Sequence, residues 1–219
     1  MGRWIQILGA AAFALAAGAG VAAPADDAVA RERALAGLAS DKPGARREAY
    51  AVLGAVGREA DLPLLYSALY DPDPIVRGLA QDAIWRVWGR SGDEEIDRLY
   101  AVAMEQMESG RLQPAVRTLT RVIEQRPSFT EAWNKRATLY FMLGENDLSI
   151  ADCDEVLARN PQHFGALAGY GQLMLRKGEL KRALDYFERA LAVNPNLIGV
   201  AAGIEALREA LSREGGARI

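Results

Sequence analysis

The chain has 219 residues, half of them hydrophobic, and sets 26 Lys and Arg against 29 Asp and Glu for a formal net charge of −3. That balance lacks the basic excess of a nucleic-acid-binding domain. A single Cys rules out an internal disulfide and a single His leaves no second imidazole for a zinc site, so stability has to come from packing.

Residues 1–25, MGRWIQILGAAAFALAAGAGVAAPA, carry one Arg, then an uncharged stretch rich in Ala and Gly, then small residues ahead of the first acids. This pattern predicts a secretory signal peptide cleaved after Ala22, Ala23 or Ala25. The alternative is an uncleaved N-terminal membrane anchor, since residues 5–23 approach the ~20 apolar residues that a span requires. Ala and Gly make that segment weakly hydrophobic, which favours cleavage. The expected location is the periplasm or beyond it, with membrane contact only if the segment is retained. Without residues 1–25, 25 basic residues face 29 acidic ones and the net charge becomes −4.

Residues 26–90 contain a repeat at an offset of 31. The stretch 38–53, LASDKPGARREAYAVL, aligns with 69–84, LYDPDPIVRGLAQDAI, pairing Leu38 with Leu69, Pro43 with Pro74, Arg46 with Arg77 and Ala49 with Ala80. Asp73 before Pro74 is a helix-start signal. The pattern resembles short HEAT-like repeats, including those of phycobilin lyases. That resemblance implies that Arg46 and Arg77 reach an acid in a neighbouring turn, with Asp71 available. Two such repeats need a neighbour to cover their open end, which predicts one continuous solenoid. Trp85 and Trp88 precede the GRSG join at 89–92, and at least one is expected to bury at the boundary. Ser91 before Glu94, and Ser128 before Glu131, have the spacing of capping boxes.

From residue 91 onward one unit is written three times, at 91–129, 130–163 and 164–197. Gly110, Gly144 and Gly178 stand 34 residues apart, as do Pro127, Pro161 and Pro195. Ala103, Ala137 and Gly171 form a small-residue column, Ala115, Ser149 and Ala183 another, and Leu99, Trp133 and Leu167 a large apolar one. A helix with a crowded inner side, a Gly turn, a second helix and a terminating Pro account for these columns. Residues 133–161, WNKRATLYFMLGENDLSIADCDEVLARNP, and 167–195, LAGYGQLMLRKGELKRALDYFERALAVNP, resemble tetratricopeptide (TPR) repeats. The first copy departs from the pattern, with Gln106 in the column of Tyr140 and Met174, and Pro114 early in its second helix. Residues 198–212 have helical spacing and predict a capping helix before a polar tail at 213–219. The predicted fold is an all-α solenoid of HEAT-like helix pairs, three TPR units and a cap. The TPR resemblance implies a concave side that binds a peptide or protein surface, with no chemistry.

Cys153 falls in the apolar column of Leu119 and Phe187, which predicts a buried, inert thiol whose acidic neighbours raise its pKa. His163, just past Pro161, is assigned a loop or packing role. No phosphate loop, nucleophile elbow or paired-Cys motif appears, so no enzyme activity, cofactor or metal is predicted. If Leu99, Ala103, Trp133, Ala137, Leu167 and Gly171 face the core, helical geometry puts a mixed face on the other side. It comprises Tyr100, Met104 and Met107 beside Asp97, then Glu131, Asn134, Thr138 and Phe141, then Gly165, Ala168, Gln172 and Leu175. Such a face suits an apolar peptide with a few hydrogen bonds. Gly165 and Gly169 cost roughly 1 kcal/mol each in a helix interior, and close approach of a partner backbone is their expected use. Asn134 and Lys135 suggest a carboxylate clamp, but these glycines stand where the third repeat would need cations.

The reading is an exported scaffold or adaptor for a protein or peptide partner. The alternatives are a structural subunit of an envelope complex, acting through its convex side or HEAT-like end, and a pigment-attachment lyase or chaperone. Expressed with a C-terminal tag in a bacterium with two membranes, the chain is expected in the periplasmic fraction, shortened by 22–25 residues by mass spectrometry. A full-length mass in the membrane fraction would instead establish the anchor.

Overall fold

Proline and glycine punctuate the helices much as the sequence demands. The computed structural model describes residues 24–216, and among them the chain forms eleven α-helices and no strand. The predicted signal peptide lies outside the described residues apart from Pro24 and Ala25. The chain divides into two compact units, Met1–Trp88 and Gly89–Ile219.

The first unit holds α1 (Pro24–Gly37), α2 (Pro43–Val56), a 3₁₀ turn (Glu59–Asp61), α3 (Leu62–Ala68) and α4 (Pro74–Trp88). Helix α2 packs on α1 and α4, and α3 packs on α4. Leu53, Leu65, Leu69, Val76, Ala80 and Ile84 are fully buried between them. The 31-residue offset reappears as hydrogen bonds: Arg46 Nη1 donates to the carbonyls of Ser40 and Asp41 at 3.0 and 3.4 Å, and Arg77 Nη1 to those of Asp71 and Pro72 at 2.9 and 3.3 Å. Each arginine braces the loop ahead of its own helix. Arg46 also grips the Asp71 carboxylate through two 2.9 Å bonds, as expected, and these bonds, with the Arg77 charge nearby, hold that carboxyl below its usual range. Asp73 accepts the Ile75 amide at 2.9 Å, the predicted cap. Trp88 is buried, with Tyr66 and an edge-on Trp85 as ring neighbours inside this unit.

The second unit is a chain of antiparallel hairpins: α5 (Glu94–Glu108) with α6 (Leu112–Gln125), α7 (Thr130–Leu143) with α8 (Asn146–Arg159), and α9 (Phe164–Arg176) with α10 (Leu180–Val193), followed by α11 (Ile198–Gly216). Gly110, Gly144 and Gly178 adopt φ of +72, +82 and +76°, the left-handed region in which a Cβ is costly. The residue after each returns its amide to a carbonyl five residues back: Arg111 to Gln106, Glu145 to Tyr140 and Glu179 to Met174, at 2.8, 2.9 and 2.9 Å. These bonds satisfy carbonyls that the helix end leaves orphaned. The departure of the first copy has its own compensation, since Gln106 Oε1 accepts from the buried Thr118 hydroxyl at 2.8 Å.

Two capping expectations fail. Helix α5 is capped by Asp93, whose carboxylate accepts the Glu95 and Ile96 amides, while Ser91 sits outside and accepts the Asp93 amide. Helix α7 has no side-chain cap: Phe129 rather than Ser128 stands at its N-cap, and Glu131 is engaged by Lys135 and His163. The cap helix α11 runs past 212 to Gly216, packs on α10, and buries Val200, Ile204 and Leu207.

Within the third hairpin a Cβ on Gly171 would lie 2.4 Å from two ring carbons of Phe187, which is itself buried. Gly171→Ala is expected to destabilise by about 1–3 kcal/mol, the usual cost of overpacking, and Phe187→Leu in the same chain to recover much of it. Urea midpoints measure both; an unchanged midpoint for the single variant would contradict this packing.

Candidate functional site

Three first helices, α5, α7 and α9, bring the sequence-predicted residues onto neighbouring faces, but four of the eleven are buried rather than open. Tyr100 packs edge-on against Phe129 at 5.0 Å between ring centroids, and Glu131, Asn134 and Gln172 are also buried. A face drawn on one isolated helix ignores the next repeat, which closes over it. Met104 and Met107 lie half-buried against the α5–α6 core. Thr138 is half-buried and donates its hydroxyl back to the Asn134 carbonyl at 3.0 Å. Phe141 is half-covered, with the Arg176 guanidinium 3.6 Å from its ring centroid. Gly165, Ala168 and Leu175 are half-buried.

The core expectation needs a matching adjustment. Ala103, Ala137, Leu167 and Gly171 are buried, but Leu99 and Trp133 only partly so. Trp133 donates Nε1 to the Pro127 carbonyl at 3.0 Å and lies between the guanidinia of Arg136 and Arg159, about 5 Å from each. Arg136 in turn holds Asp152 through two 2.8 Å bonds. Burial pushes the Asp152 carboxyl up although this pairing opposes it.

Glu131 organises the inner face. Its carboxylate accepts from Asn134 Nδ2 at 3.1 and 3.2 Å, pairs with Lys135 Nζ at 3.0 Å and meets His163 Nε2 at 2.9 Å. His163 Nδ1 accepts the Ala166 amide at 3.0 Å, so the ring proton sits on Nε2 and is donated to Glu131. Burial alone would raise the Glu131 carboxyl, but the Lys135 charge and the His163 hydrogen bond outweigh it and hold the group down at about 2. Burial, with Glu131 and Asp97 nearby, pushes the Tyr100 hydroxyl well above its usual range.

His163 is therefore a packing residue, as expected, and also caps α9 and ties it to the start of α7. The signal for this was its column: Phe129 and Leu197 occupy the matching places, so a polar ring there calls for a buried partner. Cys153 is buried, and burial together with Asp152 and Asp154 pushes its thiol up to about 12. Among the described residues no three His, Cys, Asp or Glu converge on a metal-sized site, and no helix is long and apolar enough to cross a membrane.

A tetratricopeptide repeat family model matches residues 100–163, and a second matches residues 164–197. Residues 100–197 are tetratricopeptide repeats. Over 135 residues the chain is 33% identical to a TPR repeat-containing protein of Rhizobium etli, covering 61% of this chain and 66% of that one. It is 24% identical over 102 residues to mouse DnaJ homolog subfamily C member 3, covering 47% of this chain and 20% of that protein. It thus spans less than two thirds of each of these relatives. The first TPR domain of Spaghetti (RPAP3), solved with an HSP90 peptide, superposes with a TM-score of 0.52 at 21% identity, over 54% of this chain and 94% of that one. The Yersinia enterocolitica secretion chaperone SycD, solved with a peptide of the translocator YopD, gives 0.52 at 17% identity, over 56% and 96%. At these identities the two structures establish a shared TPR fold.

The lowered Glu131 pKa sets a stability profile. A carboxyl at about 2 when folded and near 4.5 when free stabilises the fold fully above pH 4.5 and loses that contribution as the pH falls towards 2. The gap in urea stability between wild type and Glu131→Gln is expected to narrow by about 2 kcal/mol from pH 7 to pH 3. A gap independent of pH would contradict the buried carboxylate.

Proposed function

We propose that this chain is an exported, non-catalytic adaptor whose TPR groove holds an extended segment of a partner protein. The carrying observation is the inner face of α5, α7 and α9. Its charged groups are already paired within the fold, Glu131 with Lys135 and His163, and Arg176 with the Phe141 carbonyl and Asn146. The half-buried residues left for a partner are Met104, Met107, Thr138, Gly165, Ala168 and Leu175, with Phe141 partly covered by Arg176. A surface of this kind gains from burying apolar groups and offers little to a charged ligand. The peptides bound by the Spaghetti TPR domain and by SycD support a protein or peptide partner. Export rests on the N-terminal sequence alone, with the periplasm or beyond as the expected location and an uncleaved N-terminal anchor facing the periplasm as the alternative. The HEAT-like resemblance of the first unit concerns repeat packing alone, with no acid, base or nucleophile constellation in the sequence beside it, which favours a protein-contact role over a lyase.

A structural-subunit role is favoured by Leu64, Tyr70 and Ile75, large apolar residues of the first unit that are about half exposed.

The groove reading is tested by crosslinking in cells and pull-down of the tagged chain beside Thr138→Lys/Leu175→Glu, positions that are half-buried and leave the Tyr100–Phe129 contact intact. A partner captured by wild type and lost from the folded variant is expected. Retention of the same partner would move the interface to the first unit or the outer helices.

A further inference from the structure

The 34-residue register runs on past the third hairpin. Asn194 and Pro195 stand where Asn160 and Pro161 precede α9, so α11 takes the place of a fourth first helix. It packs on α10 as α9 packs on α8. One side of both helices is filled alike: Ala166, Tyr170 and Leu173 of α9 are buried, and so are Val200, Ile204 and Leu207, each 34 residues on. The other side differs. In α9 it carries Leu167, Gly171 and Met174, all buried, with Gly171 directly under the Phe187 ring of α10. The same columns of α11 hold Ala201, Glu205 and Arg208, which are half-buried or exposed, and Ile198 is 83% exposed where Phe164 is fully buried. Among the described residues no second helix follows α11 to cover them. With Leu191 and Glu188 of α10 they line an open groove.

The groove has a definite charge. Arg208 bridges Glu188 and Glu205 at 2.8 and 3.0 Å, so two carboxylates share one cation beside an apolar floor. Glu205 occupies the column that in α9 is a bare glycine receiving an aromatic ring. An apolar side chain set over it would dry that surplus carboxylate without a partner, which is costly, whereas a Lys or Arg would pair it.

We infer that the α10–α11 groove seats a helix of a partner protein, amphipathic and basic, which completes a fourth hairpin in trans. It presents a Lys or Arg to Glu205 and aliphatic side chains to Leu191, Ile198, Ala201 and Ala202. A helix fits this surface because the open positions of α11 recur at intervals of three and four residues, the ridge spacing that a packed helix matches. The site lies at the end of the array and is independent of the inner face of α5, α7 and α9.

The test uses fluorescein-labelled peptides with blocked ends that copy residues 180–193, the preceding second helix, with Lys or Glu in place of Phe187. Anisotropy with the purified full chain is expected to show the Lys peptide binding at least fivefold tighter than the Glu peptide. Glu205→Lys, at an exposed position, should reverse that preference. Ile198→Asp should weaken the Lys peptide at least fivefold with the melting temperature unchanged, and Thr138→Lys/Leu175→Glu should leave it unaffected. Equal binding of the two peptides, no binding of either, or loss of binding in the inner-face variant would each overturn the inference. So would a concentration-dependent dimer in sedimentation equilibrium that Ile198→Asp dissociates, since the groove would then be covered by a second copy of this chain.

Discussion

Phe187 occupies its place against α9 only because position 171 has no Cβ, and the demand for a small residue there, as at Ala103 and Ala137, governs how near the paired helices of each repeat come. Close approach lets each hairpin bury an apolar side that neither helix could bury alone. The left-handed glycines then reverse the chain without strain, and the five-residue-back hydrogen bonds fix the direction in which the next helix leaves. Hairpin spacing and exit direction together set the pitch of the repeat, and hence which side chains of α5, α7 and α9 come to lie beside one another.

Where those first helices meet, the fold spends a charge. Glu131 is 2% exposed, and a lone carboxylate at that depth would be strongly disfavoured. It persists because Lys135, Asn134 and His163 converge on it, and His163 belongs to the next repeat. The cluster ties α7 to the head of α9, and it leaves no net charge for a ligand to meet. Removing one member would strand the others, which is why a buried pair of this kind is informative about specificity of packing and a weak source of net stability.

Periodicity made the fold legible. Five aligned columns at an interval of 34, and loop-bracing arginines at an interval of 31, reflect contacts that recur because the same local geometry recurs. The site was legible as a set of helix positions but not as a surface. Helical spacing identifies which residues share a side, whereas burial of Tyr100, Glu131, Asn134 and Gln172 depends on the neighbouring repeat. The capping box at Ser128 misled for a similar reason: Glu131 has the right spacing to reach back, but a partner 32 residues downstream takes its carboxylate. His163 was seen as a packing residue, yet its acceptor lies too far along the chain for local sequence to reveal.

The account stands or falls on whether the inner face of the TPR array carries the partner. A photoreactive amino acid placed at Leu175 or Thr138, with Glu155 and Lys181 on second helices as controls, would report contact in living cells without removing any side chain that holds the fold. The account predicts a discrete crosslinked species from Leu175 and Thr138 and none from the controls. The same species from Glu155 or Lys181, with the inner positions silent, would contradict it.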